Sequence, residues 1–178
     1  MSKIWLTSDT HFSHDKAFIW GPRGFSNVDE MNEIILENWN KTVSNEDTVY
    51  HLGDVILGNE ENGLKYLNQL KGNIKIIIGN HDTSNKLKKY SKMPNIEILG
   101  YAYVIKYNKY HFYLSHYPTL TGLTTINLYG HTHQHKNFYG DNPTMYHVGV
   151  DSHNCTPVNI DTIIGDIKNR IEECKIFL

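Results

Sequence analysis

The sequence predicts an α/β protein in which a largely parallel sheet packs against a second, mostly β half. Three observations predict it. Short β-branched segments alternate with segments of helical period as far as residue 90. From residue 95 onward strand-like segments succeed one another, with one helical pattern at the end. Polar clusters rich in His, Asp, Asn and Gly stand directly behind the apolar segments.

Residues 3–8 read as a buried strand, and a long loop follows to Asn27. Asn27 and Glu30 have capping-box spacing ahead of Met31, Ile34, Ile35 and Asn38, which predicts a helix start. Residues 48–52 form a second strand, 60–70 a helix with Leu64, Leu67 and Leu70 on one face, and 74–78 a third strand. The order so far is βαβαβ, and a short helix follows over 84–90. In the second half 96–99, 101–107 and 110–115 are strand-like, the last two joined by a turn at Asn108 and Lys109. Further strands are expected at 126–129 and 145–150, before a closing helix over 160–173 with Ile163, Ile164, Ile167 and Ile171 apolar. A second sheet packed on the first would bury both.

The chain has 178 residues, no repeat and no linker-like tract, so one domain over 1–178 is expected. Lys and Arg number 17 against 19 Asp and Glu, which excludes a broad electropositive field and disfavours a dedicated duplex binder, so nucleic acid is not the expected partner. No apolar run approaches the roughly 18 residues needed to span a bilayer, so no membrane partner is expected. Two cysteines, Cys155 and Cys174, are too few for a disulfide framework or a thiolate zinc site. The start, without a charged segment and apolar run, reads as a strand, and the expected location is the cytoplasm.

Histidine is the unusual component, with 11 copies. The polar clusters are Asp9 with His11, Gly53-Asp54, Gly79-Asn80-His81-Asp82, His116, and Gly130-His131-Thr132-His133. Each follows a predicted strand, and loops beyond the carboxyl ends of strands form the ligand crevice of open α/β sheets. Residues distant in sequence can therefore meet at one point. Gly79 is expected to allow a sharp turn after Ile78, and an extended Gly130–His133 segment would send both imidazoles to one side. Carboxylate, imidazole and amide oxygen suit Mn, Fe, Zn, Co or Ni better than Ca, with room for two ions.

These five blocks, spread over residues 9 to 133, resemble the motif set of the calcineurin-like metallophosphoesterase superfamily. The resemblance implies a four-layer α/β/β/α sandwich of two mixed sheets flanked by helices. It also implies that Asp9, His11 and His133 hold one metal, that Asn80, His116 and His131 hold the other, and that Asp54 bridges them. His81 would stay unligated. Val55-Ile56-Leu57-Gly58 follows Gly53-Asp54 without the nearby arginine of protein Ser/Thr phosphatases, and the chain lacks the length for the additions of the large exonucleases. Thr10–His14 and the stretch 27–32 look similar to small stand-alone bacterial or phage-type members.

The function expected is hydrolysis of a small phosphomonoester or phosphodiester by a hydroxide bridging two divalent ions, with manganese first among the metals. His81 is the candidate to protonate the leaving oxygen, and Asp82 either orients it or caps the following helix. Two alternatives stand beside this function: within the enzymes, a nuclease acting on single-stranded nucleic acid, and from another class, a slow metal-binding interaction module. The seven intact ligands favour the enzyme. His14 and Arg23 each have a phosphate-contact reading and a plain surface reading, whereas His51 reads as a structural hydrogen-bonding residue. His111, His135, His147 and His153 have no motif support. The tyrosines of 101–117 are expected to fill the sandwich core or its margin.

Overall fold

The structure, a computed structural model, describes residues 2–122 and 124–176. Its first sheet contains β1 (Ile4–Thr7), β2 (Thr48–His51), β3 (Asn73–Ile77) and β4 (Ile96–Gly100), which run parallel in that order. The two-residue strand β10 (Val158–Asn159) adds an antiparallel edge beside β1. The second sheet has the order β5 (Ala102–Tyr107), β6 (Tyr110–Ser115), β7 (Thr125–Tyr129), β9 (Asn142–His147) and β8 (Phe138–Tyr139). It is mixed: β5 and β6 form the antiparallel hairpin predicted at Asn108, where φ is 52°, while β6, β7 and β9 run parallel.

Alternation along the strands sends side chains into two cores. On one face of the first sheet, Val49, Ile74 and Ile76 meet Met31, Ile35 and Trp39 of α2 (Val28–Thr42), Tyr66 and Leu67 of α3 (Glu60–Leu67), and Tyr90 of α4 (Ser84–Tyr90). On the other face, Leu6, Tyr50 and Ile77 meet Phe112, Leu114, Ile126 and Leu128 of the second sheet. Ile163, Ile164 and Ile167 of α5 (Ile160–Ile176) complete that inner core, and α5 packs on β9, β10 and β1. The architecture is therefore the predicted sandwich of two mixed sheets flanked by helices, with α5 as the one helix among the described residues on its side. Among the described residues no helix is long and apolar enough to cross a membrane.

The N-cap of α2 is as predicted, with Asn27 Oδ1 accepting from Glu30 N at 2.9 Å. The returning bond starts one residue earlier, because Glu30 Oε2 accepts from Ser26 N at 2.7 Å. Other boundaries move. The loop before Asn27 contains a short helix α1 (Ala17–Trp20), and α3 stops at Leu67 although Leu70 stays buried. Strand β9 ends at His147 and not at Val150, because Val150 N turns away to bond Ser8 O at 3.1 Å. Ile171, expected on the apolar face of α5, is exposed. Tyr107 and Tyr110 line the core margin as expected, whereas Tyr101, Tyr103 and Tyr117 are exposed.

Candidate active site

The ends of β1, β2, β3, β6 and β7 carry the seven candidate ligands to one place. Asp54 Oδ2 lies at the centre, 3.6 Å from His11 Nε2 and 3.5 Å from His116 Nε2. On the His11 side, His133 Nε2 is 3.2 Å and Asp9 Oδ1 4.0 Å from His11 Nε2. On the His116 side, Asn80 Oδ1 is 2.8 Å and His131 Nδ1 3.2 Å from His116 Nε2. Asp9 also groups with Asp54 and His116, their ligand atoms lying within 4.8 Å of one another, so the two halves adjoin. His81 stands at the rim: its side chain is 42% exposed and its Nε2 lies 3.9 Å from Asp54 Oδ2.

The donors and acceptors here fit a cation-binding site. His116 Nδ1 lies 2.8 Å from Leu52 O and must donate to it, which turns the Nε2 lone pair of the neutral ring toward Asn80 Oδ1. His133 Nδ1 likewise donates to Asp151 Oδ2 at 3.0 Å, so its Nε2 lone pair faces His11 Nε2. Asp9 Oδ2 accepts from Ser8 Oγ at 2.5 Å and from His131 N at 2.9 Å, while the buried Oδ1 has no hydrogen-bond partner among the described residues. Electron pairs converge with too few protons between them, an arrangement that bound cations satisfy.

Charge follows the same geometry. Burial holds His11 well below the ordinary imidazole range, and burial with the neighbouring His116 lowers His131. Burial opposes protonation of His116 and His133, yet Asp54 and Asp9 raise the first, and Asp151 and Asp9 the second. Burial would raise Asp54, but the hydrogen bond and charge of His116 keep it below the usual carboxylate range. Asp9, fully enclosed, is raised by burial.

The backbone explains how short loops deliver so many groups. Asp9, His11, Asp54, His131 and His133 all have left-handed φ, between 48° and 67°. Such conformations are uncommon for residues with a side chain and persist where surrounding structure enforces them. The extended geometry expected for Gly130–His133 is thus absent: two left-handed turns send His131 and His133 to opposite halves of the site. Gly79 is needed for space and not for a left-handed turn, because a Cβ there would sit 2.2 Å from Asp54 Oδ1.

Contacts beyond the ligands revise two readings and add one residue. Arg23 is neither a phosphate clamp nor a surface residue. Its buried guanidinium donates through Nε and Nη2 to Asp151 at 2.9 and 3.1 Å, through Nη2 to Asp9 O at 2.8 Å, and through Nη1 to Thr10 O at 3.3 Å. Asp151, which sequence reasoning missed, joins Arg23 to His133; its signal is another carboxylate shortly after a strand. Asp82 neither orients His81 nor caps α4. Its carboxylate accepts from Asp54 N, Val55 N and Gly79 N at 2.7, 3.1 and 3.0 Å, tying two motif loops together. His14 lies beside His11, with ring centroids 5.5 Å apart.

His51 is the structural residue expected. Thr10 Oγ1 donates to Val55 O at 2.9 Å, so it accepts from His51 Nε2 at 3.0 Å, and the buried Nδ1 has no hydrogen-bond partner among the described residues. Burial lowers this imidazole to about 3. The unfolded chain binds a proton below about 6.5 and the fold does not, so stability present at neutral pH is lost as pH falls toward 3. In urea titrations of metal-free protein, the advantage of wild type over His51→Gln should shrink by about 2 to 3 kcal/mol between neutrality and about pH 4.5. Parallel stability curves would refute this.

Comparison with known proteins agrees with these features. The uncharacterized protein MJ1445 of Methanocaldococcus jannaschii is 36% identical over 175 residues, covering 92% of this chain and 90% of that protein. The Gene 66 protein of Mycobacterium phage D29 is 28% identical over 94% of this chain and 98% of its own length. In fold, the chain matches the crystal structure of the protein of unknown function AQ665 from Aquifex aeolicus, with a TM-score of 0.74, 23% identity, and coverage of 93% and 99% of the two chains. The model of the calcineurin-like phosphoesterase superfamily domain matches residues 2–170, and the chain therefore belongs to that metal-dependent family.

Proposed function

We propose that the chain hydrolyses a small phosphate ester at a site for two divalent cations. Asp9, His11 and His133 would hold one, Asn80, His116 and His131 the other, and Asp54 both. The observation that carries this reading is the near-equal distance of Asp54 Oδ2 from His11 Nε2 and His116 Nε2, 3.6 and 3.5 Å. Cations so held supply a water of lowered pKa and neutralise charge growing on the phosphoryl oxygens. Nitrogen and oxygen ligands suit Mn, and also Fe, Zn, Co or Ni. Only Asp9 and Asp54 among the seven carry negative charge, which leaves a positive balance to attract phosphate. The free thiols of Cys155 and Cys174 support a reducing compartment such as the cytoplasm.

Hydrolysis adds the oxygen of water to phosphorus, breaks the bond to the leaving oxygen and delivers a proton there. His81 has the placement for that proton transfer. Its backbone N donates to Asp54 Oδ1 at 2.8 Å, which fixes the residue, while the half-exposed ring can reach a bound ester. His81→Ala should lower turnover of alkyl esters about 10²-fold or more and spare aryl esters, whose leaving groups need no proton, with metal content unchanged. Equal loss on both ester types would remove the role. The function itself is tested with Mn-supplemented protein on a panel of mono- and diesters. Activity abolished by chelation is expected, and metal-replete protein inert across the panel would overturn the reading.

A further inference from the structure

The site's histidines lie in a row of rings that ends in exposed aromatics. Phe18, 69% exposed, stands edge-on to His14 with centroids 5.7 Å apart, and His14 is 5.5 Å from His11. In the other half, Tyr117, 51% exposed, lies 4.5 Å from His131 and 5.2 Å from His116. Asp54 therefore has an exposed aromatic beyond the histidines on each side. Single exposed aromatics are ordinary on protein surfaces, but these two touch the histidines of the site or the ring next to them.

Both rings are presented on pinned backbone. Ser115 Oγ and Thr119 Oγ1 donate to Tyr117 O at 2.7 and 3.0 Å, and Thr119 N donates to buried Asn127 Oδ1 at 2.7 Å. In α1 the buried Ile19 anchors the turn that turns Phe18 outward. Little ordering remains to be done when a flat group docks, which favours binding. Neither ring bears a charge, so each suits an uncharged planar group beside a phosphate held at the centre.

The geometry points to Tyr117 and Phe18 as specificity residues that stack a planar aromatic group of the substrate, selecting small phosphate esters that carry a nucleobase. This rests on the phosphoesterase reading and names its substrate class. The balanced charge of the chain favours a small nucleotide over a polymer.

Adenosine 5′-monophosphate and ribose 5-phosphate release the same sugar oxygen and differ only in the base, and their methyl diesters form a second matched pair. With Mn-loaded protein, the nucleotide member of at least one pair should have a kcat/KM about tenfold higher, mostly through KM. The ratio should fall toward one in Tyr117→Leu combined with Phe18→Ala, persist in Tyr117→Phe, and persist in Tyr101→Leu, an exposed tyrosine just before β5. Unchanged thermal midpoints and metal content would show that fold and site survive. Equilibrium dialysis of the same ligands separates the two proposals. Hydrolysis without base preference overturns the stacking role and leaves the phosphoesterase standing. Base-selective binding that the double variant loses, without hydrolysis of any ester, upholds stacking and overturns the phosphoesterase. Neither binding nor turnover overturns both, and faster cleavage of a short thymidine oligomer than of the nucleotide methyl ester overturns the preference for small esters.

Discussion

Asp54→Asn should reduce hydrolysis on the order of 10³-fold or more and lower bound metal from about two ions per chain toward one. The substitution keeps the shape of the side chain and removes its charge. In the structure Oδ1 is occupied by His81 N at 2.8 Å, while Oδ2 faces both halves of the site, so one atom is the proposed shared ligand. An amide in that place offers either its oxygen or its NH2, and neither repeats an anion between two imidazoles. His116 keeps Asp54 ionised, so the charge removed is one the folded protein carries throughout the working pH range. Elemental analysis with a Mn-dependent assay checks the result, and a thermal melt in chelator tests whether the fold persists. Full activity with two ions bound would show that Asp54 is not shared.

The residues placed around Asp54 were legible from sequence because each sits at a strand end, where a buried apolar run gives way to polar side chains. The apolar runs fix the sheet, and the sheet sets where its ends converge. Their conformation was not legible: the left-handed φ values of His131 and His133 come from the loops meeting one another, as does the contact that forbids a Cβ at Gly79. Very short elements were also hidden. Strand β10 has two residues and exists because β1 offers it an edge, and α1 has only four. Asp82 was seen, but its partners were not, since Asp54 and Val55 lie 28 and 27 positions away. The tyrosines at the start of β5 mark the limit of alternation as a guide. Tyr101 precedes this edge strand and Tyr103 lies in it, and both side chains stay in solvent.

Arg23 has the largest expected effect on stability. Its side chain is 1% exposed, and that of its partner Asp151 is 5% exposed. Arg23→Met retains much of the apolar stem but leaves a buried carboxylate without its main counter-charge, and the carbonyls of Asp9 and Thr10 without donors. Breaking a buried pair from one side costs about 3 to 5 kcal/mol, and urea unfolding of the metal-free protein should show a loss of that size. Lysine keeps the charge but cannot reproduce a fork that serves two carboxylate oxygens and two carbonyls, so Arg23→Lys should recover only part of the loss. Asp151→Leu in the Arg23→Met background should restore stability relative to Arg23→Met, because it removes the stranded charge. The same double variant should still bind metal 10- to 100-fold more weakly than wild type, because His133 has lost the carboxylate that holds its ring. A loss below about 1 kcal/mol for Arg23→Met would mean that solvent reaches Asp151 and that the network does not hold the His133 side of the site in place.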